Sequence, residues 1–514
     1  MTPPQKQTIM MKKRLLTIAI CLFCFHLSAQ EWVVSYIGEH PDGLTTLADG
    51  FVDEDGVTFL AGREGVDENT SDALLMRIEP DGRHSEFKYV RNGCQSRATC
   101  IIEMSNHNLF VAGNLSDETD DYIMVLILDK QLNLLVERQY EKEVEAVSFR
   151  NCKAALDSHD HVIVATAVVQ NNPYQGNDLH GLFLKYNDQG ELISRRYLIE
   201  DYPDPLYFFM DFRLRQMWYK AESETLLCLS TGYGGVLSFV TFDSDFNYIE
   251  EHPIWREEED RFEHTINRED CFTDYWFNEN EALLFSSRGD YEHNKLRVSR
   301  VNTQGEILDF ICLNERLDTI DNAATSRCMA TANDSKFYFL FHYHTLILYP
   351  GTGCVYQLND HQEIVGRHLD DDHQCYQSRL ILPTSDNGCI VVYDSCAYQF
   401  MTDIKQPVIK KLTPTDFEQV SLSVQTYHDD TSHKTTSYPN PANDLINIPI
   451  NELEATNLKC RITDAKGLIV ADRIIDPEAA LIQIDISRLK PGMYHCQLYT
   501  AERTLFTEKF IKKQ

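Results

Sequence analysis

Positive charge is scarce in this chain. Its 514 residues include 79 acidic side chains but only 47 lysines and arginines, for a net charge of −32. A surface of that sign repels nucleic acid and anionic membranes and favours solubility. Long apolar runs are missing as well. The longest, Leu15 to Leu27, has 13 residues, whereas a spanning helix needs about 20. There is no Gly-x-Ser-x-Gly, no His-Glu-x-x-His and no Gly-x-x-x-x-Gly-Lys-Ser/Thr, so the serine-hydrolase elbow, the zinc-protease helix and the phosphate loop are all excluded. Beyond the N-terminal segment no Cys-x-x-Cys suggests zinc or redox chemistry.

The N-terminus carries the three parts of a secretory signal peptide. Lys12, Lys13 and Arg14 are basic, the apolar run follows, and Ser28-Ala29 precedes Gln30. Cleavage between Ala29 and Gln30 is expected, giving a signal peptide over 1–29. That segment has four positive charges and no acidic residue, so the mature chain carries −36. Hydrophobic residues at 43% and aromatics at 11% suffice for a packed core and argue against disorder. Thirteen cysteines remain after cleavage, an odd number in an exported chain, and Cys94–Cys100 and Cys389–Cys396 are the candidate bridges.

The chain repeats itself. Strand-like runs centred on Phe59, Phe110, Val164, Leu227, Leu284, Phe339 and Val391 recur at steps of 51 to 63 residues. A second set of markers keeps the same beat: Ile78, Leu128, Tyr186, Phe242, Val301, Leu358 and Leu412, each followed by a polar residue. Within a unit the order is strand, turn, strand, loop, strand, turn, strand. Asp53-Glu-Asp-Gly56, Glu79-Pro-Asp-Gly82, Asn187-Asp-Gln-Gly190 and Asn302-Thr-Gln-Gly305 supply the turn chemistry. Four antiparallel strands repeated seven times are the signature of a seven-bladed β-propeller, here over 30–425. Glu31 to Ile37 resembles an outermost strand without a blade of its own, able to close the ring on the last blade. Cys100, Cys152, Cys271 and Cys328 fall at one repeat position, on first strands, as small buried hydrophobes. The units resemble the degenerate repeat propellers of exported bacterial proteins, without the signatures of WD40 or kelch blades.

A polar linker, 426–436, leads to a tail over 437–514 with ten basic and ten acidic side chains, so the acidic excess lies entirely upstream. The tail holds four motifs in order. They are Tyr438-Pro-Asn-Pro-Ala442, Cys460 to Val470 with a turn at Gly467, Ile484 to Tyr494 with the corner Pro491-Gly492-Met493-Tyr494, and the basic end Thr507 to Lys513. Alternating strands and turns predict a small immunoglobulin-like antiparallel sandwich, so the whole chain is expected to be all-β. The tail resembles the type A sorting domain of the type IX secretion system of Bacteroidetes. The match rests on Pro439, Asn440, Pro441, Ala442, Gly467, Pro491, Gly492, Tyr494, Lys509 and Phe510. The resemblance implies Sec export to the periplasm, then passage to the cell surface or medium through the type IX translocon and its sortase. Asp318-Thr319-Ile320 resembles the sites glycosylated in that phylum.

The upstream part shows no catalytic constellation. His342-Tyr-His344 could begin a metal site on a strand, and His159 and His161 sit in a turn. The acidic clusters Asp117 to Asp121, Glu257 to Asp260 and Asp370 to Asp372 could hold calcium, the one cofactor considered, although none has the spacing of an EF-hand loop. The expected function is recognition of an extracellular glycan or protein. The alternative is a secreted polysaccharide- or peptide-degrading enzyme with its site at the channel mouth.

Overall fold

The computed structural model describes residues 31–419 and 442–513, with interruptions of which the longest are 199–212 and 255–271. Among the described residues the regular elements are β-strands and one 3₁₀ turn, Pro414–Asp416. The chain forms two compact units that divide between Gln425 and Thr426.

The first unit is a succession of antiparallel meanders. The first sheet is Leu44–Val52, Thr58–Asp67, Thr70–Ile78 and His84–Tyr89, joined to the last by the single parallel pair Leu44↔Lys405, and the second is Gln95–Glu103, Leu109–Ser116, Asp121–Leu128 and Leu134–Glu141. The same pattern continues from Ala146 to Tyr197, Arg213 to Pro253, Phe272 to Leu313 and Ile320 to Asp370. The last sheet has Cys375–Pro383, Cys389–Cys396 and Lys405–Leu412, and its fourth strand is Trp32–Ser35, paired antiparallel from Trp32↔Lys411 to Ser35↔Val408. The chain's first described strand therefore completes its last sheet, as the unpartnered run at Glu31 to Ile37 suggests.

Middle strands are buried on both faces, which is why they read as unbroken apolar runs. In Leu109–Ser116, Val111 packs towards Phe59, Ala61 and Leu75 of the first sheet. Its neighbours Phe110 and Ala112 face Val162, Val164 and Leu184 of the third. Outermost strands such as Leu134–Glu141 are polar and largely exposed. On the first sheet's other face Leu60, Leu74 and Met76 share a core with Leu380, Ile390, Val392 and Ile409 of the last sheet, together with Trp32 and Val34.

One turn is used again and again. At Asp53, Glu79, Met104, Asp129, Asp157, Asn187, Asp243, Asn302 and Thr384 the residue's N–H donates to the carbonyl four residues on, and its own carbonyl accepts from the amide three residues on. The fourth residue has positive φ: Gly56, Gly82, Gly190 and Gly305, but also His107, Leu132, Asp160, Phe246 and Asn387. Where the first residue is Asp or Asn, as at Asp53, Asp129, Asp157, Asn187 and Asp243, its Oδ1 accepts from the amides two and four residues on. That explains the preference for Asx at this position.

The glycine of the repeat has a separate cause. First strands carry a bulge between Leu47 and Asp49 and between Ala98 and Cys100. A Cβ on Gly62 would run into the Thr46 carbonyl oxygen, and one on Gly113 into that of Arg97. Gly113→Ala is therefore expected to destabilise the unit by about 2–3 kcal/mol, read as a lower denaturant midpoint for the mature chain.

Cys100 lies on its first strand, whereas Cys152 is buried one residue before Lys153–Leu156. Cys271 and Cys328 fall outside the described residues. Neither proposed bridge forms: Cys94, Cys100 and Cys389 are free thiols. Cys389 and Cys396 end the same extended strand, about 23 Å apart at ~3.3 Å per residue, far beyond the reach of a disulfide.

Candidate functional site

The second unit contains two antiparallel sheets. Leu445–Pro449 pairs with Leu481–Asp485, and a four-stranded sheet runs in the order Ile469–Ile474, Lys459–Asp464, Gly492–Tyr499, Thr504–Lys512. Ile446, Ile484 and Ile486 meet Cys460, Ile462, Cys496, Leu498 and Phe510 in one core.

The sequence motifs converge on that core. Tyr494 and Phe510 are strand partners, with rings stacked 5.6 Å apart at 21°. The Tyr494 hydroxyl donates to the Lys490 carbonyl at 2.8 Å, fastening the corner at Pro491 and Gly492. Ala442 is fully buried; its N–H donates to Ile511 O and its carbonyl accepts from Lys513 N, each at 2.8 Å. The beginning of the domain is thus sewn in parallel to its last strand. Lys509 lies on that strand opposite His495. Pro439, Asn440, Pro441 and Gly467 lie outside the described residues, as do Ala29 and Gln30. Not singled out from sequence were Cys460 and Cys496, whose sulfurs touch at 3.4 Å, and Lys512, whose buried side chain points to Asp444 at 3.8 Å. Strand alternation from Lys459 and from Gly492 carried the signal for the cysteines.

In the first unit the acidic clusters have other occupations. Asp117 spends Oδ1 on the amides of Thr119 and Asp120 and the Thr119 hydroxyl, which lower its pKa. Asp157 caps its own turn, with His161 Nδ1 at 3.0 Å and Lys185 Nζ at 3.4 Å. Burial opposes its ionisation, but the amides and ring of His161 and the amide of His159 prevail and hold the carboxyl below its usual range. The rings of His159 and His161 stack at 6.0 Å. His342 and His344 lie on Phe337–His344. Residues 257–260, 318, 319, 371 and 372 lie outside the described residues.

Asp370 is the most constrained of these groups. It ends the strand Ile364–Asp370 and is buried against the last sheet. Lys410 Nζ lies 2.6 Å from its Oδ1 and His368 Nε2 lies 3.4 Å from the same atom. Desolvation opposes its charge, but His368, Lys410 and the Tyr393 hydroxyl overcome that and bring its pKa down to about 2. His368 Nδ1 is 3.0 Å from the Asp416 carbonyl oxygen. Burial works against protonation of the ring, but Asp370 and Asp416 raise its pKa above the ordinary histidine value. The carboxylate is thus paired with the Lys410 ammonium and lies beside the His368 ring. The cluster clips the end of the first unit, Pro414 to Gln419, onto the neighbouring sheet, where Glu418 and Gln419 pair with Arg367 and Gly366.

Residues 436–513 match the family described as the secretion system C-terminal sorting domain. No curated protein matches the sequence. Among solved structures the chain is similar to a fungal alcohol oxidase in complex with copper (10% identity, 95% of this chain and 100% of that one, TM-score 0.41). It is also similar to the polysaccharide lyase Uly1 (9%, 74% and 91%, TM-score 0.41) and to the NanB sialidase of Streptococcus pneumoniae (8%, 76% and 71%, TM-score 0.41). Likenesses this slight say nothing of what the chain does. The tail does: residues 436–513 are a type IX sorting domain, and the protein is cargo of that secretion system, exported to the cell surface or beyond.

Proposed function

We propose that residues 30–425 form a seven-bladed β-propeller that works outside the cell as a recognition module for glycan or protein. On this reading the signal peptide 1–29 is cut after Ala29, and the linker 426–436 joins the propeller to an immunoglobulin-like sorting sandwich over 437–514. One observation carries the architecture. Leu44–Val52 contacts Gln95–Glu103, which contacts Lys153–Leu156, and the series continues through Arg213–Lys220, Phe272–Asn278, Met329–Thr331 and Cys375–Pro383, which returns to Leu44–Val52. Innermost strands that touch in a closed cycle are what a propeller's channel wall requires.

The same topology favours one end for binding. Meanders alternate direction, so hairpins between first and second strands and between third and fourth share one end. There the repeated turns satisfy their own polar groups. Connections from each fourth strand to the next sheet start from the opposite end, as at Tyr89 before Gln95. Connections on a rigid scaffold are where ligands are usually met. The charge of −36 weighs against polyanionic ligands.

The test is a glycan and protein array probed with the mature chain. Hits among neutral glycans or basic proteins are expected. No array signal, together with turnover of a polysaccharide, would overturn the reading in favour of an enzyme.

A further inference from the structure

We propose that Cys460 and Cys496 are a disulfide-forming pair that staples the two central strands of the sorting domain as the chain passes through the periplasm. The proposal rests on the export reading, and its geometry comes from strand register. Lys459–Asp464 and Gly492–Tyr499 are antiparallel neighbours in which Cys460 faces Leu498 and Cys496 faces Ile462. The two cysteines are thus diagonal, two residues out of register, and alternate side chains put them on the same face. The right-handed twist of a sheet brings one of its two diagonals together, and here the sulfurs sit 3.4 Å apart. A disulfide requires about 2.05 Å, so the gap closes with a small side-chain rotation. Both residues are buried in the core with Ile462, Leu498 and Phe510.

The chemistry is thiol–disulfide exchange with a disulfide-bearing oxidant of the periplasm. One thiolate attacks the oxidant's disulfide to form a mixed disulfide and releases the first of its two sulfurs. The second cysteine displaces the other. Two protons and two electrons leave the pair, and the oxidant departs as a dithiol. Because the closed core shields both sulfurs, exchange takes place before it closes, on a chain just delivered to the compartment. The bond then closes a loop of chain that includes the corner at Pro491 and constrains the part of the domain between the two central strands.

The experiment uses the full chain, signal peptide included, recovered from the periplasm of an expression host. The protein is denatured in guanidinium with N-ethylmaleimide and no reductant, digested and weighed. The expected product is a cross-linked peptide pair containing Cys460 and Cys496, two hydrogens lighter than the free peptides, which separates and alkylates after reduction. The same chain made without residues 1–29 in a reducing cytoplasm should alkylate at both cysteines directly. Cys496→Ala should leave Cys460 fully reactive. Full alkylation of both peptides from the periplasmic chain, or Cys460 joined to any other cysteine, would overturn the proposal. Delivery to the medium, assayed separately in a type IX-competent host, reports on export independently of the bond.

Discussion

A chain truncated before Thr504 is expected to accumulate in the periplasm, with its surface and extracellular fraction reduced at least tenfold, as read by immunoblots of the three compartments. The lost strand does three things at once. It pairs with Gly492–Tyr499 along its full length, places Phe510 against Tyr494, and holds Ala442 at the start of the domain. Removing it leaves an open sheet edge and an uncovered core. A single change should come close to the same result. Phe510 is fully buried, and Phe→Ala at such a site costs about 3–5 kcal/mol, comparable to the whole stability of a domain this small. Phe510→Leu, which keeps most of the apolar volume, should retain export. Lys513→Ala should be nearly silent, because its side chain is exposed and its backbone bond to Ala442 remains. Normal export of the truncated chain would mean that recognition needs only the upstream motifs.

Asp370→Ala should lower the stability of the first unit by about 2–3 kcal/mol, because it removes the buried carboxylate that partly buried Lys410 and His368 share. Wild-type stability should also show a defined pH window. The folded pKa of Asp370, about 2, lies below its ordinary 3.8. Its contribution is therefore complete above about pH 4 and disappears as pH falls through 4 towards 2. His368 shifts the other way, upward from 6.5. Its contribution is complete below that value and is lost as pH rises through the folded pKa. The cluster is strongest between roughly pH 4 and 6.5. Denaturant midpoints measured across pH should fall off on both sides of that window in the wild type, and the cluster's share of that fall-off should be absent in the Asp370→Ala chain.

Much of this organisation could be read from the residues because it repeats. Seven apolar markers and seven companions kept one spacing, so strand order was legible without any single motif being strong. Turns were legible where Gly or Asp followed convention. Leu132 and Phe246 were not, because a left-handed backbone at a bulky residue is imposed by the turn's hydrogen bonds and the surrounding core rather than by local preference. The cysteine pairings inferred from proximity in sequence failed because extended strands separate near neighbours. The Cys460–Cys496 contact escaped notice because strand register joins residues far apart in the chain. The Asp370 cluster was hidden for the same reason: its members come from three strands on two sheets. The sorting motifs, by contrast, were plain, and the structure gives a reason. Ala442, Tyr494 and Phe510 are core-forming residues, so any sequence adopting this small fold must spell them in nearly the same way.

The pairing of Trp32–Ser35 with Lys405–Leu412 also sets a schedule. Trp32–Ser35 can find its partner only once nearly all the rest of the first unit has been made, and the loop this pairing closes spans almost the whole unit. Folding that ends on such a step is slow, and until then the chain carries an open edge that invites wrong partners. Once made, the pairing acts as a clasp: the last sheet cannot lose its outer strand without undoing a contact between the two ends of the unit. For an exported protein, such a clasp acts on lifetime, a property governed by the rate of opening more than by the depth of the folded state.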